Sequence, residues 1–155
     1  MRKKLQELET VLRREIKRAE RQANSSKRAA YEIARAAASS WSMAGDRTHA
    51  EGQAQIAEEN LAKLKKLMEE IKLSMKKFPE KIELLSFIVA TKNGEREEDF
   101  YLVQTPVFIK GFTLVSTESP FGQAILNKRV GDTFKYKVVV DGQKKAISGK
   151  IISIE

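Results

Sequence analysis

The chain has 155 residues, 29 basic and 21 acidic side chains, one histidine and no cysteine, for a formal charge of +8. That length fits one ordinary domain or two small ones, and 41% hydrophobic with 32% charged residues suffices for a core, which excludes disordered, collagenous and membrane-spanning classes. Without cysteine there are no disulfides, thiolate nucleophiles or cysteine zinc sites, and one histidine cannot build a histidine cluster, so no metal site of its own is expected.

The charge is uneven. Residues 1–42 carry 11 basic and 5 acidic side chains, residues 43–79 carry 7 and 6, and residues 80–155 carry 11 and 10. The excess therefore sits in the first segment, which favours a polyanionic neighbour such as RNA, DNA or an acidic protein channel. The opening Met-Arg-Lys-Lys-Leu-Gln-Glu-Leu has no apolar core and does not read as a secretory signal, so a cytoplasmic location with no membrane partner is expected.

In chain order, the first element predicted is a long helix. Leu5, Leu8, Leu12, Ile16, Ala19, Ala23, Ala30, Ala37 and Trp41 form its apolar stripe, rich in alanine toward the end, where small side chains allow close helix approach. Arg14, Arg21, Arg28 and Arg35 recur at heptad spacing roughly opposite that stripe. They suit a nucleic-acid-binding surface as well as a solvated face, and with no aromatic interleaved they do not form a base-stacking platform.

A break follows at 43–48. Gly45 suits the left-handed position that ends a helix, and Thr48 with Glu51 matches a capping box that starts the next. From Ala54 the stripe Ala57, Leu61, Leu64, Met68, Ile71, Met75, Phe78 alternates steps of three and four, a coiled-coil seam. A short break between two such stripes predicts an antiparallel hairpin. Trp41 and Met43 lie beside its tip, Trp41 in line to close the last layer of the seam.

Phe78-Pro79 ends the helical part, and the period then changes to two. Strands are predicted over 82–91, 97–104, 111–116, 133–140 and 145–154, with Asn93-Gly94 and Asp141-Gly142 as hairpin turns. Ser119 to Leu126 reads as a short helix, Ser119 capping it and Pro120 at its first position. Phe87, Phe100, Tyr101, Phe108, Phe112, Phe121, Phe134 and Tyr136 are expected to pack the core. The fold class is α+β: a coiled-coil hairpin over 1–78 with its tip at 43–48, then a small β domain over 79–155 with one short helix.

Ser119-Pro120-Phe121-Gly122-Gln123-Ala124-Ile125-Leu126-Asn127-Lys128-Arg129-Val130-Gly131-Asp132 resembles the S-P-x-x-x-A-L-L-G-K-x-x-G-D signature of the Gre family of bacterial transcription factors. Gly45-Asp46-Arg47-Thr48 also looks like the start of that family's acidic tip. The resemblance implies an FKBP-like antiparallel C-terminal domain that docks on bacterial RNA polymerase, with Ser119, Pro120, Phe121 and Gly122 near the polymerase contact. It also implies a coiled coil that enters the secondary channel, where tip acids help hold a shared Mg²⁺ that hydrolyses backtracked RNA. Nascent RNA within that complex is a further implied partner.

Asp46 is the tip acid the resemblance assigns. The family's cleavage factors place Glu three residues after it, where this chain has His49, a poor ligand for a hard cation. Glu51 is a weaker second candidate, with the capping box as its alternative role. The function expected is that of an elongation factor modulating or stimulating transcript cleavage; the alternatives are a non-cleaving regulator of the polymerase and a nucleic-acid binder acting through helix 1. No phosphate loop, dinucleotide fingerprint or triad is present, so the chain is expected to be a monomeric accessory factor with no cofactor of its own, not an enzyme. An isomerase pocket is not expected, because the only tryptophan lies on the hairpin.

Overall fold

The long breaker-poor stripes fold into two helices, α1 over Lys3–Ala37 and α2 over Ala44–Ser74. The computed structural model describes residues 2–38, 44–75, 79–94, 96–140 and 142–155. Trp41 and Met43, and with Met43 the start of the expected tip, lie outside these residues, as does Phe78. The chain divides into two compact units, Thr10–Met68 and Met1–Glu9 together with Glu69–Glu155.

In the Thr10–Met68 unit the helices pair antiparallel. Glu20 meets Lys65 at 2.9 Å and Lys27 meets Glu58, while Ala30 packs with Ala50 and Ala54, so partners on α2 fall in number as those on α1 rise. Leu12, Ala19, Ala23, Leu64, Leu67 and Met68 are buried along the seam. The alanines at the Ala30 layer let the backbones approach, as the sequence predicts.

The start of α2 differs from expectation. Ala44, Gly45, Asp46 and Arg47 already form its first turn, and Gly45 is not among the glycines with positive φ. Thr48 is no cap: its hydroxyl donates to the Ala44 carbonyl oxygen at 3.1 Å, the back-bond of a residue inside a helix. Glu51 pairs with Arg47 one turn back at 2.8 Å instead of reaching a backbone N–H. The helix therefore begins four residues earlier than the capping-box pattern predicts, and Thr48 and Glu51 take partners one turn back within it instead of capping its start.

The other unit holds a five-stranded sheet: β1 Phe87–Lys92, β2 Glu97–Val103, β3 Leu114–Ser116, β4 Thr133–Val140 and β5 Gln143–Ile154, in the order β3-β2-β1-β5-β4, with α3 over Pro120–Ile125. Every pair is antiparallel except β2 with β3, which is parallel, so the sheet is mixed. Asn93 (φ 52) and Gly94 (φ 76) take the left-handed conformations that their turn requires. The predicted first strand starts late, at Phe87, because Leu85 has φ 64 and its N–H donates to Leu102. Of the strand predicted over 111–116, only Leu114–Ser116 forms.

Ile82, Ile88, Ala90, Phe100, Leu102, Phe121, Ile125, Phe134 and Ile151 make the core. Phe121 is its hub, with ring centroids 4.9 Å from Phe100, 5.4 Å from Phe134 and 5.0 Å from Tyr136. Phe108 departs from the aromatic expectation: it is 91% exposed on the loop after β2, where it belongs to no strand and faces away from the core.

This unit also contains the first residues of α1. Arg2 is 1% exposed, and its guanidinium donates to the main-chain oxygens of Leu85, Glu155 (2.7 Å) and Ser74 (3.4 Å). The Lys4 N–H donates to Glu155 Oε1, and the Tyr101 hydroxyl donates to the Lys4 carbonyl oxygen, both at 2.8 Å. Burial, and secondarily Glu7 and Glu155, push the Tyr101 pKa above its ordinary value, whereas burial lowers that of Arg2. The raised phenol pKa has a consequence for stability. Above about pH 10 the unfolded chain releases the Tyr101 proton while the folded chain keeps it, so stability falls as pH rises through that region. Urea titrations between neutral and alkaline pH are expected to show this decline in the wild type and a flatter one in Tyr101→Phe.

Candidate functional site

At the α2 start, Asp46 is exposed in the first helical turn, where an acid interacts favourably with the helix N-terminus. At about 100° per residue, His49 lies within about 60° of Asp46 around the axis and Glu51 about 140° away. Glu51 is also held by Arg47, whose pKa its hydrogen bond raises. The Asp46 and Glu51 carboxylates thus diverge. Among the described residues, no group of three or more His, Asp or Glu side chains is placed to hold a metal ion.

Arg14, Arg21, Arg28 and Arg35 are all exposed on α1, together with Lys17 and Arg18. None of the four makes an ion pair among the described residues. Arg13, Ile16, Lys17, Glu20 and Met68 line an adjoining groove of about 380 Å³.

The Ser119–Gly122 segment is built as a helix start. Ser119 Oγ accepts from the Gly122 N–H at 3.0 Å and donates to the Ser116 carbonyl oxygen at 2.7 Å, the predicted N-cap. Pro120 is the only one of the four residues that is exposed; Phe121 and Gly122 are buried and Ser119 is half-buried. Gly122 is obligatory, since a Cβ there would lie 2.0 Å from the Ser116 oxygen. After α3, Asn127 adopts φ 65 at the position where the signature has glycine; asparagine is one of the few side chains that tolerate that conformation. The surface this segment offers is therefore Pro120 with the exposed Glu118 and Gln123.

Sequence reasoning missed a second feature beside it. Lys92, Asn93, Arg96, Glu98 and Ile147 line a cleft of about 560 Å³. Lys92 pairs with Glu98 and sits 4.6 Å over the Phe121 ring, a cation–π contact. Only strand register brings these residues together, because they come from β1, β2 and β5 and the turn between them.

With this geometry in place, residues 81–155 match the family model for the C-terminal domain of the transcription elongation factors GreA and GreB. They define the class: an elongation-factor domain with helices before it. Residues 81–155 thus form a C-terminal domain of the Gre family. The chain is similar in structure to the transcription factor Gfh1 at 18% identity, covering 95% of this chain and 92% of that one, with a TM-score of 0.40. Gfh1 (GreA factor homolog 1) of Thermus thermophilus is similar at 17% identity, 95% and 94% coverage and a TM-score of 0.38. A GreA/GreB factor from Nitrosomonas europaea is similar at 18% identity, 59% and 78% coverage and a TM-score of 0.39. No curated protein matches the chain.

Proposed function

We propose that the protein binds bacterial RNA polymerase and modulates elongation through its helical hairpin, which enters the secondary channel as a coiled coil. The observation that carries this reading is the joining of a GreA/GreB C-terminal domain to paired helices of 35 and 31 residues. It acts in the cytoplasm as a monomeric accessory factor, not as an enzyme, and any Mg²⁺ it meets is the polymerase's own. Pro120 and its exposed neighbours contribute to docking, and the exposed arginines of α1 line the channel or meet RNA there. No helix among the described residues is long and apolar enough to cross a membrane.

The tip favours a regulator over a cleavage stimulator. Asp46 stands without a second carboxylate on its side of the helix, because His49 takes the neighbouring position and Arg47 holds Glu51. Stalled, backtracked elongation complexes test this through release of short 3′ RNA fragments. Wild type is expected to displace a cleavage-stimulating channel factor while adding no cleavage above the polymerase's background, and His49→Glu is expected to gain cleavage that Asp46→Ala then removes. Strong Asp46-dependent cleavage by wild type would sink the regulatory reading; failure to compete would sink channel binding as well.

A further inference from the structure

The C-terminal half is close to neutral by count, yet its charges are sorted by strand. Between Thr133 and Ile154 there are five lysines and one acid, Asp141, which lies outside the described residues. Phe134 and Tyr136 of β4 pair with Gly149 and Ile147 of β5 on the face that covers the core. Side chains alternate along a strand, so Lys135 and Lys137 stand on the opposite face. There they share a surface with Lys144, opposite Val139, and Lys150, opposite Thr133. All four are exposed, and none forms an ion pair among the described residues. Lys145 pairs with Val138 on the core side.

The register places the four in one row, Lys150, Lys135, Lys137, Lys144. Each step is a next-but-one neighbour on a strand or a cross-strand diagonal, about 7 Å, so the row is about 20 Å long. Among the described strand residues, the acids on the same face belong to β2: Glu97 opposite Thr91 and Asp99 opposite Val89 of β1. They lie two strands from Lys150, about 10 Å away, which is about one Debye length in physiological salt.

Edge protection accounts for part of the row. β4 is an edge strand, and lysines on such a strand discourage pairing with another chain. Lys150 is paired on both sides, with Thr91 of β1 and Thr133 of β4, so it has no edge to protect, whereas Lys144 lies in the stretch of β5 that pairs with β4 alone.

We infer that this lysine row binds the sugar–phosphate backbone of duplex DNA without reading its sequence. Thr133, Val139, Ala146 and Ser148 complete the surface around the row. Among the described residues it has no aromatic on which unpaired bases could stack, and Val139 and Ala146, its exposed apolar side chains within the row, are too few for the apolar centre that a protein interface buries. Lysines at regular spacing with small neutral residues between them fit successive phosphates, whose binding is driven by counterion release.

The test is fluorescence anisotropy of the full chain with a labelled duplex of about 20 base pairs, between about 50 and 200 mM salt. A single strand and polyglutamate serve as the other probes. Replacing Lys135, Lys137, Lys144 and Lys150 by Gln should reduce the slope of log affinity against log salt by about 3.6, that is about 0.9 per phosphate contact. Arg14→Gln with Arg21→Gln and Arg28→Gln should leave that lysine-dependent loss in place, which separates this face from α1. If the fourfold variant does not melt like wild type, the pairs on β4 and β5 are replaced separately, each with about half the change in slope. The inference is overturned by an unchanged slope, by no duplex binding at low salt, or by a single strand bound as tightly as the duplex. Polyglutamate bound equally well through the same lysines would overturn it in favour of an acidic protein surface.

Discussion

Gly149→Ala is expected to cost about 4 kcal/mol of folding stability, near the upper end for a single substitution. Gly149 sits in β5, the strand between β1 and β4, paired with Lys92 on one side and Phe134 on the other. A Cβ there would stand 1.9 Å from the Thr91 carbonyl oxygen and 2.4 Å from Phe134 Cζ. Neither neighbour can yield cheaply: the first is backbone in a paired strand, and the second is a buried ring against Phe121. Relief requires parting β1 from β5 or turning Phe134 out of the core, and either loses ladder hydrogen bonds or aromatic packing. Urea denaturation with an unchanged m-value measures the loss. Gly52 provides the control, since it lies inside α2 with nothing within 4 Å of an added Cβ. Gly52→Ala should stabilise by up to about 1 kcal/mol through helix propensity alone. A Gly149→Ala loss below about 1 kcal/mol would mean the close approach is not a constraint.

Arg2→Met should destabilise by about 3 kcal/mol, although it keeps most of the side-chain volume. The loss is in acceptors, not packing. The main-chain oxygens of Leu85 and Glu155 accept from the guanidinium, and methionine leaves them without that donor in a buried site. Replacing a buried charge by an apolar residue is often neutral when both partners are removed, but here the backbone partners stay. One offset exists: Arg2 Nε is buried without a hydrogen-bond partner among the described residues, so its desolvation is recovered in the variant. Arg2→Lys should fall between, since an ammonium retains the charge but cannot span several oxygens as a planar fork. The midpoint of urea unfolding orders the three chains, and equal midpoints for wild type and Arg2→Met would refute the assigned role.

These two residues mark where sequence reading stops. Most of the elements were legible because their signals are local. The three-and-four stripe of α2 set its buried face, Asn93-Gly94 made its turn, and Ser119-Pro120 capped and opened α3 as the residue types dictate. The start of α2 misled because Thr48 and Glu51 can serve either as a capping box or as back-bond and i+4 partner within a turn already formed. The choice between them rests on residues upstream that the pattern does not contain. The α1 arginine stripe was visible and is exposed, and the signature at 119–132 pointed to the Gre domain. That the signature's Phe121 and Gly122 turn inward, leaving Pro120 as its exposed face, was not readable from their order.

What the sequence determined by itself is therefore the two periods, the break between them, the charge excess of α1 and the family of the second half. The tertiary structure decided which groups with no local relation meet. Arg2 finds its acceptors 72, 83 and 153 residues away, Gly149 owes its identity to Thr91 and Phe134, and four lysines that look unremarkable in a near-neutral half become one row through the β4–β5 register. Periodicity is fixed by the spacing of side chains along one element. Which backbone oxygen, ring or charge stands opposite is fixed by strand pairing and chain return, and those are properties of the fold.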